Sequence, residues 1–478
     1  MTVIMEFQTV LVESVDPKSN TVYGNSGMLL NENCVISTFN AIAPFYSTVK
    51  NIYQEIQPGI TYCDSKEIKK VSFYITSRNE ELFKSRKAHF KGYIHSENIS
   101  RSVKHIFRNW SIDSSDNHDF ELLSLFAIFK LDESKNEPKD SFDELFERIL
   151  KTRLSKGQNL KCISTAFGNR NFSNHYSEGI VSNILGNYDC LIFSDLPLTP
   201  GSEGSPVFCN NLSEAPIGIV ISAVNWWKNE WLNFTVIADL RPLLLEIIET
   251  SKYTELKTCI DGNFKLMSTI EASLFQVYNG TIWGTAILIN KEKGILITNA
   301  HVVDPTSTNT LYRNNESIPC DVVYSSSGDQ LDIAVLRAKR ELKGSFQAIR
   351  FSRRTIQCGD SVYAAGFPIF AKETTPSPTL TRGCISQVHP QMVKTTCSIY
   401  PGASGGGILD EDGCLLAIIV CNAKITDFIN MVYPRVNMNI PVSILEPILL
   451  KYIANEDVGV LEDINLLDAR VWNFSSKF

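Results

Sequence analysis

The 478-residue sequence has no C-x-x-C pair; its twelve cysteines are scattered, and neither a zinc ribbon nor a thioredoxin-like centre is expected. No apolar window of about 18 uncharged residues occurs, so no segment reads as a membrane-spanning helix. The opening residues, MTVIMEFQTVLVESVD, lack a basic stretch followed by an apolar one, the order of a secretory leader. A soluble, non-secreted chain follows as the expectation, with reduced, buried cysteines and no disulfides. Positive charge is also short: 45 Lys and Arg stand against 52 Asp and Glu, a formal net charge of -7. That balance excludes a broad basic face for nucleic acid. Neither a cofactor nor a metal is expected.

What remains is an ordinary globular composition, 44% hydrophobic and 20% charged. Short runs of Val, Ile, Leu, Phe and Tyr between Gly, Pro, Asn and Asp recur throughout, as in GTAILIN, GILITNA, DSVYAAGF and CLLAIIV. Such spacing predicts all-β barrels or sandwiches. Helical spacing is confined to 141–154, 241–251 and 443–453.

The pattern occurs twice. NSGMLLN (25–31) matches GTAILIN (284–290), VISTFNAIAP (35–44) matches LITNAHVVDP (296–305), and LFAIFK (125–130) matches DIAVLR (332–337). PGSEGSPVF (200–208) then matches PGASGGGIL (401–409), and the closing helical stretches align through Pro242 and Pro447. Five matches in one order predict two tandem copies of a double β-barrel module, each with a C-terminal helix. The boundaries read as 1–250 for the first copy, 251–266 for a linker and 267–478 for the second. The first copy carries about 54 extra residues, expected as one insert near 50–115. The basic stretch 84–105 within it reads as a solvated loop.

Acyl transfer by a serine needs a hydroxyl, an imidazole to take its proton, a carboxylate to hold the imidazole's tautomer, and backbone donors for the oxyanion. The second copy supplies His301 at the end of an apolar strand, Asp332 at the entrance to the next, and Ser404 in the glycine-rich loop YPGASGGGIL. The oxyanion donors expected are the N–H groups of Gly402 and Ser404, because glycine tolerates the positive φ that such a loop requires. The order His, Asp, Ser resembles the trypsin-like superfamily and, with GDSVYAAGFPIF, TLTRGCISQV and NMNIPVSILEPIL, its HtrA/Deg branch. The resemblance covers about 190 residues. Ala403 stands where the branch has Asn, and Gly407 where it has Pro. In this superfamily the residue six before the nucleophile lies at the base of the S1 pocket. Here it is Ser398, with Cys421 and Asn422 as wall residues, which implies an uncharged P1 side chain.

At the matching positions the first copy has Asn40 for His301, Leu125 for Asp332 and Glu203 for Ser404. None can perform its counterpart's role. The first copy is therefore expected to be catalytically silent: a scaffold, a regulator or a substrate-docking surface.

The last tripeptide, Ser476-Lys477-Phe478, is similar to the peroxisomal import address S-K-L. Together with a silent copy and an HtrA/Deg-like one, it gives the chain a resemblance to the peroxisomal leader-peptide-processing proteases. That resemblance implies an endopeptidase of the peroxisomal matrix that removes presequences, trims other imported enzymes, and is delivered by the import receptor that reads the C-terminus. It also implies self-processing, with Cys259 as the candidate position, and no PDZ-like extension. HtrA relatives are often trimers, so a homo-oligomer is one expectation and occupation of that surface by the tandem copy another. Two other readings stay open: a catalytically silent, peptide-binding pseudoprotease, and a cytosolic Deg-type quality-control protease.

Overall fold

The computed structural model describes residues 8–31, 33–45, 58–63, 66, 68–79, 82–107, 119–131, 149, 154–209, 215–227, 230–247, 265–313, 316–326, 331–369, 377–425 and 431–472. The chain divides into two compact units, Met1–Asn225 with Asn233–Asp261, and Trp226–Leu232 with Gly262–Phe478.

In the first unit, β1 (Gln8–Val15), β2 (Val22–Asn31), β3 (Cys34–Thr38), β4 (Gly59–Tyr62), β5 (Ser72–Asn79), β6 (Leu82–His95) and β7 (Leu125–Leu131) form one antiparallel sheet. The ring β1-β2-β3-β7-β6-β5 closes through the β1–β5 and β6–β7 pairings, and β4 is added on the far edge of β6. A second closed barrel follows, from β8 (Asn159–Ser164), β9 (His175–Leu185), β10 (Leu191–Ser194), β11 (Pro206–Cys209), β12 (Gly218–Trp227) and β13 (Glu230–Asp239). The helix Leu240–Leu245 follows β13.

After the helix Lys265–Ser273, the second unit repeats the plan. Its first barrel is β14 (Leu274–Tyr278), β15 (Trp283–Asn290), β16 (Ile295–Thr298), β17 (Asn309–Arg313), β18 (Glu316–Ser325) and β19 (Ala334–Ala338). Its second is β20 (Ser361–Gly366), β21 (Thr379–His389), β22 (Met392–Thr395), β23 (Gly407–Leu409), β24 (Leu415–Ile425) and β25 (Met431–Pro441), closed by the helix Val442–Asn455. Strand order is the same in corresponding barrels. The protein is thus all-β, two tandem double-barrel modules, as the sequence pattern predicts.

Each barrel is filled by the inward-facing half of its strands, the expected outcome of side chains alternating with period two. In the first barrel Phe73, Phe90 and Phe129 meet, with ring centroids 5.2 Å apart for Phe73–Phe129 and 5.8 Å for Phe90–Phe129. The barrels of the second unit are filled by Phe275, Leu288, Leu311 and Leu336 in one, and Val362, Ile385, Ile408 and Ile419 in the other.

Two expectations for the first copy need correction. The basic stretch 84–105 is not a loop: it forms β6 and the helix Glu97–Ile106. Its charges conceal the alternation, because Ala88 and Phe90 point into the barrel while Lys87 and His89 point out. The helix has Ser96 as its cap, accepting from Ile99 N–H, and buries Ile99, Val103 and Ile106. Nor is the extra length one insert near 50–115. Strands β5 and β6 hold the places of β17 and β18, so the additional residues fall before β5 and after β6.

Several expected features lie outside the described residues: linker positions 251–264, Cys259, most of the helix at 141–154, and Ser476, Lys477 and Phe478. Among the described residues no two cysteines are joined by a disulfide. Burial pushes the thiols of Cys34, Cys162, Cys190 and Cys320 up to about 12, which keeps them protonated and unreactive.

Phe129 is fully buried between two other rings. Phe129→Ala should therefore cost about 3–5 kcal/mol. A urea titration followed by near-UV circular dichroism should show a lower midpoint for the variant.

Candidate active site

Strand pairing creates the first contact. Thr298 at the end of β16 lies opposite Ala334 at the start of β19. His301, in the 3-10 turn Ala300–Val302, and Asp332, two residues before Ala334, therefore leave the same end of the ladder. Asp332 grips His301 at two points: Oδ1 accepts the His301 backbone N–H at 3.0 Å, and Oδ2 lies 2.5 Å from Nδ1. Asn299, buried, donates its amide to the Asp332 carbonyl at 2.8 Å and ties the turn to the carboxylate's backbone. Held in this way, the imidazole carries its proton on Nδ1 and leaves Nε2 as an acceptor.

Ser404 lies on the loop entering β23, in the other barrel of the same unit. Ala403 N–H closes a turn onto Tyr400 O at 3.0 Å, Gly405 N–H reaches Ile419 O at 2.9 Å, and Gly406 N–H reaches Ala403 O at 2.8 Å. Glycine is required at two positions. At Gly402, φ is +95° and a Cβ would come 2.4 Å from Trp283 Nε1; at Gly405, φ is +81° and a Cβ would come 2.1 Å from Thr285 O. The second contact seats the loop against Thr298 and Asn299, just before His301. Ser404 Oγ donates to Val420 O at 3.0 Å, its resting partner. Among the described residues, the Gly402 and Ser404 N–H groups have no hydrogen-bond partner, which leaves two donors for an oxyanion.

Of the three S1 candidates, Ser398 lines a small pocket with Ile399, Tyr400, Ala403, Thr379 and Thr381; none of the lining residues is charged. Cys421 and Asn422 do not line it. Asn422 instead donates to Ile399 O at 3.0 Å, and Asn437 donates to Cys397 O at 2.9 Å, so both brace the backbone on either side of Ser398. Burial and the nearby Asp332 charge push the Cys421 thiol up to about 11, so it is no thiolate nucleophile.

The first module has the same frame with different side chains. Ser37 lies opposite Ala127 as Thr298 lies opposite Ala334, which puts Leu125 in register with Asp332 and Asn40 with His301. Gly201 and Gly204 keep the positive φ of Gly402 and Gly405. Gly204 N–H donates to Val220 O as Gly405 N–H does to Ile419 O. Glu203 therefore occupies Ser404's place. Its carboxylate turns back on the loop, accepting Gly201 N–H at 2.7 Å and Ala223 N–H at 3.4 Å. Gly201 N–H is the counterpart of the free Gly402 donor, so this copy fills its own anion site. Sequence reasoning placed Glu203 in register but missed Asn299 and Thr285, which carry no motif of their own.

Residues 284–418 match the family model described as the trypsin-like peptidase domain. The chain is 26% identical over 319 residues to the human peroxisomal leader peptide-processing protease, covering 62% of this chain and 55% of the relative. It is 30% identical over 139 residues to the Escherichia coli periplasmic pH-dependent serine endoprotease DegQ, covering 28% of this chain and 30% of the relative. The crystal structure of a serine endoprotease from Yersinia pestis aligns with a TM-score of 0.34 and 23% identity, covering 40% of this chain and 66% of that one. The chain spans about half the length of the human and mouse relatives it matches.

Burial raises the Glu203 carboxyl above the ordinary glutamate range. Folding therefore takes up a proton between the unfolded value of 4.5 and the higher folded one, and stability falls as pH rises through that window. Urea midpoints measured from pH 8 down to pH 5 should improve for the wild type relative to Glu203→Gln, which does not titrate.

Proposed function

We propose that the second module is a serine endopeptidase in which Ser404 is the nucleophile, His301 the general base and acid, and Asp332 the orienting carboxylate. The observation that carries this reading is the two-point grip of Asp332 on His301. It supports an imidazole with its proton on Nδ1 and Nε2 left as the acceptor, the arrangement a general base needs.

The reaction begins when Ser404 Oγ turns from Val420 O to His301 Nε2. His301 takes the proton as Oγ adds to the scissile carbonyl, and the new imidazolium is balanced by Asp332. The oxygen that gains charge is received by Gly402 and Ser404 N–H, donors already oriented by the loop. His301 then protonates the leaving amine, and water repeats the sequence to release the acyl group. An uncharged P1 residue is supported by the uncharged surroundings of Ser398.

The substrate class we propose is the N-terminal presequence of imported peroxisomal matrix proteins, with trimming of other imported enzymes. Its support is the similarity to the human and mouse peroxisomal leader peptide-processing proteases. The peroxisomal matrix is the corresponding location. The first module is silent in this scheme, its anion site being filled by Glu203.

A fluorophosphonate probe should label the wild type and leave Ser404→Ala unlabelled. Asp332→Asn should lower kcat by about 10⁴. A folded wild-type chain that neither labels nor cleaves a presequence peptide would return the reading to a peptide-binding pseudoprotease. If Ser476-Lys477-Phe478 is an import address, a fluorescent tag fused after Phe478 should strand the protein in the cytosol, whereas an N-terminal tag should leave it in peroxisomes. Mass spectrometry of the purified protein tests self-processing: Ser404→Ala should stay intact where the wild type is cut.

A further inference from the structure

We propose, resting on the protease reading, that Thr285 is a positioning residue for the oxyanion site. Through it, the first barrel of the catalytic module holds the donors of the second barrel in place before any substrate arrives.

Thr285 lies on β15 and is fully buried. Its hydroxyl accepts Phe367 N–H at 2.9 Å and donates to Gly402 O at 3.1 Å, so its one proton and one acceptor site are both committed. Its backbone N–H donates to Ser404 O at 2.8 Å, and its own carbonyl accepts Thr298 Oγ1 at 2.6 Å. One residue thus joins the segment after β20, the oxyanion loop and the strand that leads to His301, the first two through its hydroxyl and the last through its backbone carbonyl.

The adjoining peptide is held from the other side. Ile369 N–H donates to Pro401 O at 2.7 Å. To do so Ile369 takes φ +71°, a left-handed conformation that a β-branched residue avoids unless its surroundings impose it. A trans peptide is planar, with C=O and N–H pointing opposite ways. Anchoring Pro401 O on Ile369 therefore turns Gly402 N–H away from Ile369, and anchoring Gly402 O on Thr285 fixes the next peptide plane. With both carbonyls held, neither peptide can rotate without breaking a buried hydrogen bond.

The silent copy shows what this bracing does. Ser26 Oγ accepts Thr165 N–H at 2.9 Å and donates to Gly201 O at 2.7 Å, while Phe167, at φ +57°, donates its N–H to Pro200 O at 2.7 Å. There Gly201 N–H, the counterpart of Gly402 N–H, is turned onto a carboxyl oxygen, Glu203 Oε2, at 2.7 Å. The braced loop presents its glycine N–H to an acceptor oxygen even where the triad side chains are absent. In both copies the brace is a hydroxyl, threonine in one and serine in the other.

Thr285→Val keeps the shape and removes the hydroxyl. It should lower kcat about a hundredfold, the scale of a displacement of about 1 Å at a reacting group, with KM within twofold of wild type. The probes are the best-cleaved presequence peptide and the C-terminal aldehyde of its acyl half, which adds to Ser404 Oγ and places its oxygen on the donors. Aldehyde affinity should fall in parallel with kcat. Thr285→Ser should recover most of both, and on a Ser404→Ala background Thr285→Val should bind the uncleaved peptide as tightly as Ser404→Ala alone. A purely packing role would weaken that peptide binding as well, and would overturn the proposal. So would a Thr285→Val enzyme with wild-type kcat and aldehyde affinity. Should Thr285→Val fail to fold, Thr285→Ala against Thr285→Ser gives the same comparison. A wild type that does not cleave at all sinks the protease reading itself; a wild type that cleaves beside an equally active Thr285→Val sinks only this inference.

Discussion

The second module depends on hydrogen bonds that cross the seam between its two barrels. Thr285 N–H holds Ser404 O, Thr285 Oγ1 holds Gly402 O, and Phe367 N–H donates to Thr285 Oγ1. Neither barrel has a complete site: one presents His301 and Asp332 at the end of its β16–β19 ladder, the other presents a serine on a glycine loop. Interior packing densities leave little freedom at such a seam. Buried hydrogen bonds are costly to leave unmade, so the loop has one well-defined resting place relative to the histidine turn.

The first module keeps the same frame with other side chains. The glycines, the crossing hydroxyl and the strand registers recur there, while Asn40, Leu125 and Glu203 stand at the positions of His301, Asp332 and Ser404. Leu125 is buried at 1% exposure, so it packs where a carboxylate would need partners. Glu203 brings a carboxyl group into a half-buried place, and that is tolerated because the N–H groups of Gly201 and Ala223 donate to it.

Legibility in the sequence followed the physics of each feature. The strands around the triad could be read because apolar alternation and glycine punctuation are local signals. The registration of the two copies could be read because five separate matches kept one order, and the pairing of Ser37 with Ala127 and Thr298 with Ala334 repeats that alignment in space. Strand β6 was obscured because Lys87 and His89 alternate with Ala88 and Phe90 in a stretch rich in charge, so that composition suggested solvent where alternation decided. The roles of Asn299 and Thr285 were invisible for a different reason: both act through hydrogen bonds to residues 33 or more positions away, and no local pattern announces such a partner.

Sequence alone determined the residue types available for chemistry and their order: one histidine, aspartate and serine at matched anchors, with glycines where φ must be positive, and three incompatible replacements in the other copy. Only the tertiary structure decided that Asp332 holds His301 through both carboxylate oxygens, that Ser404 rests on Val420, and that Glu203 fills its own loop. The reason is that residue identity limits which bonds a group can form, while the choice among them depends on distances set by strands far apart in the chain.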